Sequence, residues 1–188
     1  VEAAANLFTF LREVDAIALS HLHADHCFDL SGFYVVSKYH PAGALPRIPV
    51  LAPAGAADRL ALAYGIDEPA GMTEQFDFME HLDGKTVQLG PFAITPRLVD
   101  HPVTAFALRI ATDSHAIVYS GDTGLTEALV DIAAGADIFL CEASFVESGV
   151  NPPNLHLTGA EAGDHATRAG VGRLLITHIP AWTDRAEV

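Results

Sequence analysis

Residues 20–27 read SHLHADHC, with three histidines and an aspartate between His21 and His26. Histidine is only intermediate in its preference for burial, and aspartate is rarely buried unless paired. Packing therefore gives no reason to crowd them. A cation that takes several nitrogen and oxygen ligands does. His21 and His23 stand two apart where a strand is expected to end. Side chains two apart on a strand point the same way, so both imidazoles can face one ion. Asp25 and His26 follow where the chain is expected to turn into a helix, and they can face a second ion beside the first. A pair of ions needs further ligands, which belong at other strand ends. His101 after AITPRLVD, Asp122 in YSGDTG and His178 in LLITHIP each close an apolar run, before a Gly or Pro.

The pattern H-x-H-x-D-H, followed by His101, by Asp122 in GDT and by His178, resembles the metallo-β-lactamase-fold hydrolase superfamily. The motifs fall in that family's order and span residues 21–178. The resemblance implies that His21, His23 and His101 bind a first metal, that Asp25, His26 and His178 bind a second, and that Asp122 bridges both. Imidazole and carboxylate ligands with open water positions suit Zn²⁺, at Zn–N distances of about 2.0–2.1 Å. Mn²⁺ and Fe²⁺ accept the same ligand types. Di-iron oxygen reductases of the superfamily carry Glu at the place of His23, which argues against them.

The implied mechanism is hydrolysis by two divalent ions about 3.5–4 Å apart that share a bridging hydroxide. The ions hold a phosphoryl or carbonyl oxygen, and Asp25 orients the hydroxide. A leaving alkoxide needs a proton. His156, in NLHLTGAE, is the candidate acid, because related phosphodiesterases and ribonuclease Z carry a similar His-(Leu/Ser)-Thr element before the penultimate helix. Such general-acid help is worth about 10²–10⁴-fold. Asp25 and His156 are thus the expected catalytic residues.

These residues need a scaffold of strands and helices. Residues 3–12 read as a helix, DAIALS (15–20) as a strand, RIPVLAP (47–53) as a strand and AGAADRLALAYG (54–65) as a helix stopped by Gly65. Residues 66–82 read as an irregular or lid-like stretch. Two strands are expected around the Gly90–Pro91 turn, and a hairpin around TDSH in 105–120. The last third alternates helix and strand: LTEALVDIAAG, ADIFLCEASF, GAEAGDHATRAG and GRLLITHIP. Thr158 and Glu161 form a T-x-x-E capping box before the third of these. The fold class expected is α/β, a four-layer αββα sandwich in a single domain over residues 1–188. In the family, strands precede the first motif, and they are expected to lie outside this chain.

Other residues admit plainer readings. Cys27 and Cys141 read as small core residues. Phe28, Phe33 and Tyr34 read as core more readily than as the floor of a pocket. Glu142, Ser144 and Asp100 stand open between hydrogen bonding behind the ligands and ordinary strand-end positions. His40, His81, His115 and His165 read as loop, turn or helix-surface residues and receive no role.

Composition narrows the partners. Acidic residues outnumber basic ones by 24 to 10, a net charge of −14. A surface of that sign repels phosphate backbones, so long RNA or DNA is a poor partner. No apolar run approaches the ~20 residues that cross a bilayer. The N-terminus lacks the basic region of a signal peptide, and two cysteines make no disulfide framework. A cytoplasmic setting and no membrane partner are the expectations, with a homodimer by resemblance to relatives. GDTG, CEASF and LTH look closest to the ribonuclease Z and cyclic-nucleotide phosphodiesterase branch. Ribonuclease Z carries a long tRNA-grasping arm between its third-motif His and the GDT Asp. Here a hairpin alone joins His101 to Asp122. The expected substrate is a small phosphodiester such as a 3′,5′-cyclic nucleotide, cAMP for example. Two rivals stand beside it: tRNA 3′-processing, and a non-catalytic binding module that retains its metals.

Overall fold

The computed structural model describes residues 13–68, 70–147, 150–185 and 188. The helix expected over residues 3–12 lies outside the described residues. The chain divides into two compact units, one running to His81 and the other from Leu82 to Val188.

The first unit is built on a parallel sheet in the order β1 (Ile17–Ala18), β2 (Ile48–Ala52) and β3 (Phe76–Glu80). Parallel neighbours need crossover connections. Helices supply them here: α1 (Ala24–Cys27) and α2 (Asp29–Tyr39) between β1 and β2, and α3 (Ala56–Tyr64) between β2 and β3. Helix α3 stops where expected. Gly65 takes φ 86°, and its N–H reaches back to the carbonyls of Ala61 and Leu62, a left-handed cap that glycine adopts without strain. The core gathers Leu30, Phe33 and Tyr34 from α2, Val50 from β2, Leu60 from α3, and Met72 and Phe76. The rings of Phe33 and Phe76 stack at 5.9 Å.

Two expectations are corrected in this unit. The stretch 66–82 is not wholly irregular, because FDFME forms β3 and pairs along the whole of β2, Ile48 with Phe76 through Ala52 with Glu80. The strand expected over 15–20 is shorter, only Ile17–Ala18, although the Leu19 N–H still donates to the Leu51 carbonyl.

The second unit is a six-stranded sheet in sequential order: β4 (Val87–Leu89), β5 (Phe92–Val99), β6 (Ala105–Ala111), β7 (Ala116–Tyr119), β8 (Ile138–Glu142) and β9 (Arg173–Thr177). Pairing is antiparallel from β4 to β7 and parallel from β7 to β9. The parallel crossovers run through α4 (Glu127–Ala133) and α5 (Gly159–Ala169). The expected capping box opens α5: Thr158 Oγ1 accepts the Glu161 N–H, and Glu161 Oε2 accepts the Thr158 N–H. Val118, Leu129, Phe139, Leu157 and Ala162 are fully buried in the core beneath.

This topology decides where the chemistry sits. β5 opposes β6, and β6 opposes β7, so β5, β7, β8 and β9 all run in one direction. Their C-terminal ends lie along one edge of the sheet, the edge at which α/β sheets carry their ligands. His101, Asp122, Glu142 and His178 each stand at or just past one of those ends.

Candidate metal centre

In the first unit, His21 and His23 follow β1 and lead into α1, with His23 as its extended N-cap residue. His21 is buried, with Nδ1 3.1 Å from the Ser20 hydroxyl. His21 Nε2 lies 3.1 Å from His23 Nδ1. Two nitrogens on a tetrahedral Zn²⁺ at 2.0–2.1 Å are about 3.3 Å apart, so this spacing fits a shared cation. The His26 ring packs 4.2 Å from that of His21, and its Nε2 lies 3.5 Å from Asp25 Oδ2. Asp25 itself is largely exposed. The first motif thus sets His23 and His26 beside His21, and Asp25 beside His26.

Phe33 and Tyr34 are core, as expected. Phe33 also lines a small apolar pocket with His26, Cys27 and Leu30. Phe28 is partly exposed, with the Arg59 guanidinium 6.0 Å over its ring.

In the second unit, ligand atoms of Asp122, His156 and His178 all lie within 4.8 Å of one another. Asp122 Oδ2 is 3.6 Å from His178 Nε2, again a spacing that one cation can bridge. Asp122 is buried. His178 adopts φ 57°, a left-handed conformation uncommon for a residue with a Cβ and often found where function holds it. His101 Nδ1 lies 3.0 Å from the Leu155 carbonyl. A carbonyl only accepts, so Nδ1 carries the proton and the lone pair is on Nε2. A protonated Nδ1 anchored on a carbonyl is how metal-ligating histidines are oriented.

Glu142 and Ser144 make specific contacts. Glu142 is fully buried at the end of β8. Its Oε1 accepts the Thr123 N–H at 2.8 Å and His156 Nδ1 at 2.9 Å, and its Oε2 accepts the Ser144 N–H at 3.1 Å. A buried carboxylate is tolerable only when bonded in this way. It fixes the His156 ring with Nε2 away from Glu142, 5.2 Å between centroids from the His178 ring and 5.7 Å from that of His101.

The side chain of Asp100 is exposed, but its backbone is held by the GDTG loop. Thr123, which sequence reasoning passed over, is buried and bonded to that backbone.

Two histidines are corrected. His81 is buried rather than a surface residue, and its Nε2 donates to the Leu19 carbonyl at 3.0 Å. His165 is buried too, with Nδ1 2.7 Å from the Glu161 carbonyl and Nε2 3.2 Å from that of Thr126. Cys27 and Cys141 are buried, as expected. No helix among the described residues is long and apolar enough to cross a membrane.

Residues 4–179 match the family model described as a beta-lactamase superfamily domain. The chain belongs to the beta-lactamase superfamily. Protein Rv1339 of Mycobacterium tuberculosis (strain ATCC 25618 / H37Rv) is 47% identical over 176 residues, covering 92% of this chain and 64% of that protein. The chain therefore spans 64% of the length of this relative. YhfI of Bacillus subtilis (strain 168), a probable metallo-hydrolase by name, is 29% identical over 174 residues, 89% of this chain and 67% of YhfI. The YhfI crystal structure, a metallo-β-lactamase fold protein, superposes with a TM-score of 0.80 and 25% identity, covering 98% of this chain and 73% of that one. Ribonuclease Z of Limosilactobacillus fermentum is 26% identical over 223 aligned positions, 90% of this chain and 71% of the ribonuclease. That alignment is longer than the 188 residues of the chain itself, so the ribonuclease carries positions without a counterpart here. The α/β fold expected from the sequence is thus the metallo-β-lactamase fold of this superfamily.

Proposed function

We propose that this chain is a dinuclear-metal phosphodiesterase acting as one metallo-β-lactamase-like domain. In this reading His21, His23 and His101 hold one divalent ion, Asp25, His26 and His178 hold a second, and Asp122 bridges them. Zn²⁺ is the proposed metal, which imidazole and carboxylate ligands with open positions suit, with Mn²⁺ and Fe²⁺ as the alternatives that the same ligand types accept. When bound, the ions supply charge stabilisation for a phosphoryl oxygen and an activated water.

The observation that carries the reading is the bond between buried Glu142 and His156, set beside Asp122 and His178. A buried carboxylate orients metal-ligating and proton-donating imidazoles alike; this reading takes His156 as the proton donor because seven other side chains supply the metal ligands. His156 Nδ1 donates to Glu142, so a proton on Nε2 can pass to the leaving oxygen as the P–O bond breaks. The Glu142 carboxylate offsets the positive charge on the ring before transfer. Asp25, largely exposed, is the proposed orienting group for the attacking water.

A small substrate, most simply a 3′,5′-cyclic nucleotide such as cAMP, is favoured by two features. Only Thr112–His115 joins β6 to β7 between His101 and Asp122, and ribonuclease Z carries positions absent here. The net charge of −14 opposes a polyanion. The named ribonuclease relatives favour tRNA 3′-processing as the second reading. We also propose a cytoplasmic protein that forms a homodimer, which sedimentation would test.

The deciding experiment is turnover by metal-reconstituted protein on cAMP, cGMP, bis(p-nitrophenyl) phosphate, a thioester and pre-tRNA. Hydrolysis of cyclic nucleotides with weak pre-tRNA binding supports the proposal. Salt-sensitive pre-tRNA binding with cleavage overturns the substrate. Two bound ions with no turnover on the whole panel points to a non-catalytic binding module.

A further inference from the structure

We infer that Thr123 is a positioning residue whose hydroxyl sets the Asp100 backbone, and through it the His101 imidazole, in the orientation that presents Nε2. The inference extends the metal-ligand reading of His101, but its first test needs no metal.

Thr123 Oγ1 accepts the Asp100 N–H at 3.2 Å and donates its own proton to the Gly124 carbonyl at 2.9 Å. The Gly124 N–H returns to the Asp100 carbonyl at 2.7 Å. Both backbone groups of Asp100 are therefore clasped by two consecutive residues of the GDTG loop. The Thr123 N–H donates to Glu142 Oε1. One fully buried residue thus ties together the ends of β5, β7 and β8.

His101 follows Asp100 directly and is fixed on its other side by the Leu155 carbonyl. That side leads back to the same loop. A Cβ on Gly124 would lie 2.5 Å from Asn154 Cα, so the GDTG backbone rests against the residue preceding Leu155. The two anchors of His101 both end on Thr123–Gly124. Threonine suits the role better than serine, because its branched Cβ restricts χ1 and holds the hydroxyl in place.

A packing role and a positioning role predict opposite orders for two substitutions. Thr123→Val keeps the shape and removes the acceptor. Thr123→Ser keeps the hydroxyl and removes the methyl. If Thr123 only packs, valine is the better substitute. If it positions, serine is.

The test uses the full chain with ¹⁵N-labelled histidine, first without metal. We expect wild type and T123S to show His101 protonated on Nδ1, and T123V to show a mixed or reversed tautomer. Zinc titration should then place T123V about 10–100-fold weaker than wild type, with T123S close to wild type. If T123V does not fold, T123A removes the same hydroxyl without bulk and is read in the same way. An unchanged His101 tautomer and zinc affinity in the hydroxyl-less variant overturns the inference, as does equal loss in T123S. A wild type that binds no zinc defeats the metal reading instead, and the tautomer measurement still decides the role of Thr123.

Discussion

Glu142 Oε1 and His156 Nδ1 lie 2.9 Å apart, with the carboxylate fully buried and the imidazole partly so. The pair acts as a unit, which makes its mutational behaviour non-additive. His156→Ala should lower kcat by about 10²–10⁴-fold with bound metal unchanged. Glu142→Gln should move activity in the same direction. The double variant should be no slower than His156→Ala, as steady-state kinetics on bis(p-nitrophenyl) phosphate would show. Independent, multiplying losses would mean that the two residues do not work through each other.

The contact between Gly124 and Asn154 is backbone against backbone, with no flexible side chain to move aside. Gly124→Ala should destabilise the protein by about 1–3 kcal/mol through overpacking. Thermal melting checks this, and a Tm at or above that of wild type would contradict it.

His81 makes acid stability specific to one residue. Burial lowers its pKa below the usual histidine value, only partly opposed by its bond to the Leu19 carbonyl. The unfolded chain therefore binds a proton more readily than the folded one. Stability from this residue is complete above about pH 6.5 and is lost as the pH falls toward the lower folded-state value. Denaturant melts between pH 7.5 and 5 should show His81→Gln losing less stability over that interval than wild type.

Both cysteines should be inert in the native protein. Burial pushes the Cys141 thiol up to about 12, with the Glu142 charge adding to it and a Ser120 hydrogen bond opposing. Burial also raises Cys27, against Arg59. The thiolate is the reactive form. A thiol reagent at pH 8 should titrate neither cysteine until denaturant is added, and then both.

The sequence made legible what short-range spacing encodes. The Gly65 stop and the Thr158–Glu161 box each lie within a few residues and take the form expected, and the His21–His23 contact is equally local. The strand-end positions of His101, Asp122 and His178 were legible because apolar runs end just before them. What was hidden depends on distant partners. FDFME becomes a strand because β2 lies alongside it, although Gly, Pro and acidic residues precede it. His81 and His165 are buried against carbonyls of Leu19 and Thr126, 62 and 39 residues away. Thr123 has an ordinary turn composition around it, and only its bond to Asp100, 23 residues back, reveals what it holds.

The left-handed backbone at His178 sets robustness against chemistry at a single position. A side chain there costs about 1–3 kcal/mol that glycine would not. His178→Gly should yield a chain that survives heat better than His178→Ala while lacking the same ligand. A screen for hardiness alone would discard this imidazole first.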